Sequence, residues 1–399
     1  MEQPNNNQQK NGLANVMWLG LSSFLNDLSS EMILPILPLI ITNVGGTGLA
    51  LGLIGGLRDS AAEVLKAIFG KLSDKKGERK TFIYAGYLTS SLFKLALLVA
   101  RSWQLIFILV GLERLGKAIR TAPRDALITQ TMPHNIGRGF GIHRTFDTLG
   151  AIAGSLLVFY LVWQWNYGTF GIIAIAATLS LISVLPLAKV TEAPNGQHHE
   201  PEIVASDGQK TFSPAFIRFT CIAAFFSLAR VSYMFFLVHA QAVLGGSAPL
   251  RTSMLLYVLF NIFYTMGAIP FGILSDAIGR WTMIIIGYLC FSGTLFGFAF
   301  ATSLPMLIGC FVLYGISLAI IQVTHKAFAA DLGAENVKAT VLGTFESVTG
   351  VAIFVSGIGA GLLWEVMGHP LIFAGAGAIA LIAVMLMVFW KSSLTHLDA

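Results

Sequence analysis

Gly70-Lys71-Leu72-Ser73-Asp74-Lys75-Lys76-Gly77-Glu78-Arg79-Lys80 returns as Gly272-Ile273-Leu274-Ser275-Asp276-Ala277-Ile278-Gly279-Arg280, so the frame GxLSDxxG recurs at an offset of 202 residues. A second echo sets Thr145-Phe146-Asp147 against Thr344-Phe345-Glu346, at an offset of 199. One short match arises by chance, whereas two at nearly equal offsets point to a duplicated unit. Each copy of the first frame is a short polar stretch joining two long apolar runs. Its glycines allow close helix approach and a turn with φ > 0.

The rest of the chain fits that frame. Of 399 residues, 55% are hydrophobic and only 11% charged, against about 25% charged in a soluble domain. Mean hydropathy is +0.74. A water-soluble core cannot hide so much apolar surface, so the solvent is lipid. A spanning helix needs roughly 20 apolar residues. Twelve such stretches are expected, at 13–42, 49–73, 81–100, 102–131, 138–163 and 167–187, then 214–244, 250–277, 281–301, 304–330, 336–366 and 370–391. Residues 188–213, with Pro194, Gly196, His198, His199, Pro201 and Gly208, read as a linker between two sets of six. Residues 1–12 read as a disordered tail and 392–399 as a C-terminal tail. Asp27 and Glu31 in the first span are foreign to a signal-peptide core.

Basic residues set the orientation. With the N-terminus in the cytoplasm, the inner ends hold Lys10, Lys71, Lys75, Lys76, Arg79, Lys80, Arg138, Lys189, Lys210, Arg280, Lys338 and Lys391, and the outer loops only Arg101 and Arg251. Both termini are therefore expected inside. Cys221, Cys290 and Cys310 lie far apart in apolar runs and read as core residues. No HExxH, Walker or GxSxG pattern is present, which leaves an enzyme reading without chemistry and removes ATP as an energy source. No cofactor, metal or nucleic acid is implied.

The GxLSDxxGxRK loop resembles the signature of the major facilitator superfamily, and with it the helix count, linker and second copy of the loop cover nearly the whole chain. The resemblance implies an all-α membrane fold of two pseudo-symmetric six-helix bundles around a central cavity, mostly monomeric. Glu78 departs from the pattern, where the family most often has a basic residue. From the residues alone, Gly70, Asp74, Gly77 and Arg79 are either a solvated charge run that fixes topology or a latch made in one conformation and broken in another. The resemblance favours a cytoplasmic gate, with Asp276, Gly279 and Arg280 as its second copy. A narrower resemblance lies in Arg114-Leu-Gly116-Lys117-Ala-Ile-Arg120-Thr-Ala-Pro123-Arg124-Asp125-Ala126-Leu127, together with Ser29-Ser30-Glu31-Met32 and Pro35. It is similar to a prokaryotic branch loosely grouped with efflux permeases.

A charge inside a membrane helix costs several kcal/mol unless paired or hydrated, so each is a functional candidate. The first half holds Arg58, Lys66, Lys94, Arg114, Lys117, Arg120 and Arg144 against Asp27, Glu31, Asp59, Glu63, Glu113 and Asp147. The second half offers Arg230, His239, Lys326 and Glu346, with His325 near a helix end, and Tyr257, Asn261 and Tyr264 on one helical face. Gly350, Gly357, Gly359 and Gly361 let the eleventh helix approach its neighbours. Two explanations compete. Some charges, Asp59, Glu63, Lys66, Glu113 and Asp147 foremost, read as salt-bridge networks holding helices together. Others read as working groups: Asp27 and Glu31 for proton coupling, and Arg58, Arg114, Lys117, Arg120, Arg144, Arg230, Tyr257 and Asn261 for the solute, because guanidinium forks match carboxylates and phosphates.

The expected function is a secondary transporter of a small polar or anionic solute in a prokaryotic inner membrane, coupled to protons. One rival is a drug/proton efflux antiporter. It is disfavoured by the basic excess and by Ser155 after Gly150xxxGly154, where such antiporters usually carry a Gly-Pro. The other is a receptor or scaffold that does not transport.

Overall fold

The computed structural model describes residues 6–132, 135–165, 167–192, 212–245, 249–333 and 338–395, with the side chains of 6–11, 67, 74, 136, 249–250, 338–339 and 391–395 outside the description. Every regular element among these residues is a helix. They are α1 (Asn6–Ile33), α2 (Leu37–Asn43), α3 (Gly48–Lys76), α4 (Arg79–Ala96), α5 (Trp103–Thr131), α6 (Ile136–Trp165), α7 (Thr169–Ile182), α8 (Pro214–Ser227), α9 (Tyr233–Leu244), α10 (Pro249–Ile278), α11 (Arg280–Phe300), α12 (Leu304–Asp331), α13 (Lys338–Met367) and α14 (His369–Thr395). Short 3-10 turns at Leu97–Val99 and Leu185–Lys189 extend α4 and α7.

Fourteen helices occupy the twelve expected positions because two spans are broken. The first breaks into α1 and α2 with a 45° bend. Pro35 sits in the gap; it has no N–H to donate and its ring clashes with the carbonyl four residues back. The seventh breaks into α8 and α9 across 228–232, where no proline or glycine stands. There Leu228, Ala229 and Arg230 donate to carbonyls three residues back, tightening the last turn until it ends. Eight of the described helices are long and apolar enough to cross a membrane, and the α1–α2 pair makes nine. The other positions are α3 and α5, each 29 residues long but interrupted by charge, and the short pair α8 and α9.

The chain folds as two units, Met1–Gly45 with Ala61–Glu202, and Gly46–Ser60 with Ile203–Ala399. In unit 1, α1 lies along α6 and α7, and α4 lies along α5 and α7. An apolar cluster of Val16, Leu19, Ile83, Tyr87, Leu127, Ile128, Met132, Leu187 and Val190 closes one end. The linker expected from Ala188 therefore begins inside this packing. Val190 is buried, and Asn15 binds Thr191 through Nδ2 to its carbonyl at 2.8 Å and through Oδ1 from its N–H at 3.0 Å. Linker residues 193–211 lie outside the described residues.

In unit 2, α10 packs on α12, α11 on α12 and α14, α8 on α13 and α14, and α9 on α10. Its core is aromatic: Phe226 stacks on Tyr288 at 3.7 Å, and Phe236 meets Phe298, Tyr314 and Phe373. Such pairs contribute about 0.5–1.5 kcal/mol each beyond area burial. In lipid, packing of this kind replaces the hydrophobic effect as the force between helices.

The expected tails are shorter than drawn. The first helix starts at Asn6 and the last continues to Thr395. Extending a formed helix costs little compared with nucleating one, so the polar ends prolong their spans.

Candidate functional site

The buried polar groups of unit 1 gather where α4 and α5 touch. Gly86 and Gly116 permit that contact: a Cβ on Gly116 would stand 2.7 Å from the Gly86 carbonyl oxygen, and a Cβ on Gly86 2.6 Å from that of Gly116. Around them, Arg120 is 2% exposed, donates from Nη1 to Ser90 Oγ at 2.9 Å, and lies 4.3 Å over the Tyr87 ring. No carboxylate among the described residues forms an ion pair with it.

Lys94, one turn beyond Ser90 and also 2% exposed, is the most enclosed charge. Its Nζ faces oxygens of two other helices. On α1 these are Ser30 Oγ at 2.8 Å and Ser29 Oγ, the Asn26 carbonyl and Asn26 Oδ1, each at 3.2 Å; on α7 it is Ser180 Oγ at 3.4 Å. Ser180 in turn meets Ser91 Oγ at 2.8 Å and donates to Asn26 Oδ1 at 3.2 Å. An ammonium has three donors, so five oxygens saturate it without a carboxylate.

Beside this cage, Arg114 Nε donates to Glu113 Oε2 at 2.5 Å in a pair that is fully inside the unit. Lys117, one turn on, is half-buried, and its ammonium has no hydrogen-bond or ion-pair partner among the described residues. Asp27 is half-buried too, has no ion-pair partner among them, and acts electrostatically on both Lys94 and Lys117. Lys117 and Arg120 thus stand in this region with no ion-pair partner among the described residues, beside the carboxylates of Asp27 and Glu113.

The remaining sequence-predicted residues scatter. Glu31 packs its Cβ toward Gly154 of α6. Arg144 is exposed on α6, and Asp147 lies 3.4 Å from His143 Nδ1. Arg58 belongs to unit 2, where it pairs with Asp59 at 2.8 Å and lies 5.2 Å from the Tyr233 ring, itself 5.6 Å from Tyr257. Asn261 is buried and Arg230 half-buried in the break between α8 and α9. The expected salt-bridge residues do pair, but as neighbours on one helix: Arg58–Asp59, Glu63–Lys66, Glu113–Arg114, Arg124–Asp125 and His143–Asp147. Each of these pairs lies along a single helix, and Asp147 on α6 also acts electrostatically on Arg124 of α5. Hydrogen bonds between helices of unit 1 include those of Ser90, Ser91, Lys94 and Ser180. In unit 2, Lys326 and Glu346 do join α12 to α13, at 2.7 Å.

At the repeated loops, Gly77 and Gly279 adopt φ of 70° and 90°, the left-handed turn that glycine permits. Gly70 faces Ala122 of α5 and Arg79 opens α4. The side chain of Asp74 lies outside the described residues. In the second loop Arg280 pairs with Asp331 at the end of α12, donates to the Ala327 carbonyl at 2.6 Å, and lies 3.6 Å from Asp276. A cation at the unsatisfied carbonyls of a helix C-terminus is favourable, which explains why α12 takes the arginine.

From the sequence, Lys94 is one buried charge among several, with no role of its own. A signal was present: Asn26, Ser29 and Ser30 fall at helical spacing on one face of α1. Ser180 lies far away in sequence and carried none. The buried Tyr288–His325 contact at 2.8 Å, inside the aromatic core of unit 2, was likewise not expected.

The Major Facilitator Superfamily model matches residues 19–257 and again 219–396. An MFS-type transporter of Methanocaldococcus jannaschii is 42% identical over 390 residues, 97% of this chain and 97% of its own. The multidrug resistance protein MdtG of Klebsiella pneumoniae is 32% identical over 161 residues, 39% of this chain and 38% of its own. Among solved structures, the nucleoside transporter NupG superposes with a TM-score of 0.77 at 15% identity, covering 94% of this chain and 98% of that one, a likeness of fold alone.

Proposed function

The chain belongs to the major facilitator superfamily, and from that premise we propose that it moves a small anionic solute across a prokaryotic inner membrane by alternating access, coupled to protons. The observation that carries this reading is the pair of cations, Lys117 and Arg120, that no carboxylate among the described residues pairs with in unit 1. Two unpaired cations in a low-dielectric interior are costly. An anion that enters beside them supplies the missing charge, and its binding is thereby favoured. Lys117, half-buried and unpaired, is the direct contact. Arg114, held by Glu113, and Arg120, held by Ser90 and Tyr87, supply the field. Asp27 is the carboxylate of this cluster with no ion-pair partner among the described residues, and Glu31 lies one turn further along α1.

A second reading, drug/proton efflux, is supported by the similarity to MdtG over part of the chain. Thermal unfolding of the purified protein with inorganic phosphate, lactate, citrate and tetraphenylphosphonium separates the two. The anion reading expects at least one anion to raise Tm, and Lys117→Gln to lose most of that rise. Stabilisation by the lipophilic cation alone would replace it with the efflux reading.

A further inference from the structure

We infer that Lys94 is the group that carries the coupled proton, and that its oxygen cage is built to hold it both charged and neutral. The inference rests on the proton-coupled reading above and names the site of coupling.

The composition of the cage is the reason. A lysine held by a carboxylate keeps its proton, because losing it strands an anion. Lys94 is held by two amide oxygens and three serine hydroxyls. A hydroxyl is both donor and acceptor, and it rotates. With the ammonium present, Ser29, Ser30 and Ser180 accept. After one N–H bond breaks and the proton leaves, the nitrogen lone pair accepts from one of the same hydroxyls. Ser30 already donates elsewhere, to the Asn26 carbonyl at 3.0 Å, and has only to turn. Neither state leaves a buried polar atom stranded by the change, so the exchange carries no penalty for an unmade hydrogen bond.

Position adds the coupling. The cage is shared by α1, α4 and α7, so movement of any one opens it. The charged groups that face Lys94 are Asp27 on α1 and Glu113, Arg114 and Arg120 on α5. Helix α7 brings no charged residue within Thr169–Ile182, and α4 brings none between Lys80 and Lys94. Asp27 follows Asn26 of the cage directly and is half-buried, so it relays the proton: the carboxylate takes it from the ammonium by way of water, becomes the neutral acid, and passes it to bulk water. An anion at Lys117 interacts more favourably with the charged form of Lys94 than with the neutral form. Anion and proton therefore bind cooperatively, each raising the affinity of the other by the same factor.

The test is a difference titration of purified full-length protein, wild type minus Lys94→Gln, followed by proton uptake on adding inorganic phosphate, lactate or citrate in weakly buffered solution with a pH-indicator dye. The expected difference is one proton per chain. The expected uptake is about one proton per anion bound in wild type, none in Lys94→Gln, and about one, taken up more slowly, in Asp27→Asn. Should Lys94→Gln fail to fold, Lys94→Arg takes its place, since arginine keeps its charge and gives the same loss. A titration difference of zero overturns the assignment, whatever the anion. Uptake retained in Lys94→Gln but abolished in Asp27→Asn moves the carrier to Asp27 and leaves the coupled reading standing. No uptake in wild type on binding any of the anions overturns the coupled reading and this inference with it.

Discussion

Serine organises the buried charge of unit 1. Ser90 is the hydrogen-bond partner of Arg120, and Ser29, Ser30 and Ser180 surround Lys94. Removing a partner from a buried charged group costs about 1.5–3 kcal/mol. Ser90→Ala is accordingly expected to lower the Tm of the detergent-solubilised protein by several degrees, and an unchanged Tm would mean that the Tyr87 ring alone holds the guanidinium. Glu113→Gln leaves Arg114 without its counter-charge, a loss of about 3–5 kcal/mol for a buried pair. The double variant Glu113→Gln/Arg114→Leu should recover much of that loss, and melting curves of both variants check it. At this scale the sequence was only partly legible. Charged residues inside apolar runs are visible by inspection, and their pairing with helical neighbours follows from spacing. The cage is not visible, because serines and asparagines look alike on a polar or a buried face, and Ser180 comes from a helix with no charge to draw notice.

Between elements, the close contact of α4 and α5 is set by two glycines. Gly116→Leu places a side chain against the Gly86 carbonyl, where a Cβ alone would stand 2.7 Å from the oxygen. Overpacking costs typically 1–3 kcal/mol, and here backbone must yield, so the upper end is expected, read as lower Tm and lower yield of monodisperse protein. Gly116→Ala should show the same direction with a smaller effect. Helix positions were readable from hydrophobic length: α12 was expected at 304–330 and runs Leu304–Asp331. Breaks were less so. Pro35 announces the first, whereas nothing between Leu228 and Ser232 announces the second, and I-to-I+3 tightening there is set by tertiary packing. The position of Arg280 was also hidden, since its partner Asp331 lies on a different helix and outside the repeated frame.

On the scale of the whole molecule, the two GxLSDxxG loops show that both copies keep the same turn while taking different partners. Gly77 and Gly279 share a positive φ, yet the chain around Gly77 is tied by Glu192 to the Lys80 N–H, and that around Gly279 by Arg280 to α12. The duplication is thus preserved in backbone and divergent in side chains. The interiors differ too: buried charges of unit 1 gather where α4 meets α5, while the core of unit 2 is mainly aromatic and holds the Arg58–Asp59 and Lys326–Glu346 pairs. On the function proposed above, this division makes unit 1 the place where an anion and a proton meet. The most direct measurement uses the protein in liposomes loaded with a pH-sensitive dye, with phosphate, lactate, citrate and tetraphenylphosphonium added outside in turn. The account predicts proton movement driven by an anion, lost in Lys117→Ala and Lys94→Gln and slowed in Asp27→Asn. Proton movement driven by the lipophilic cation and by none of the anions would contradict it.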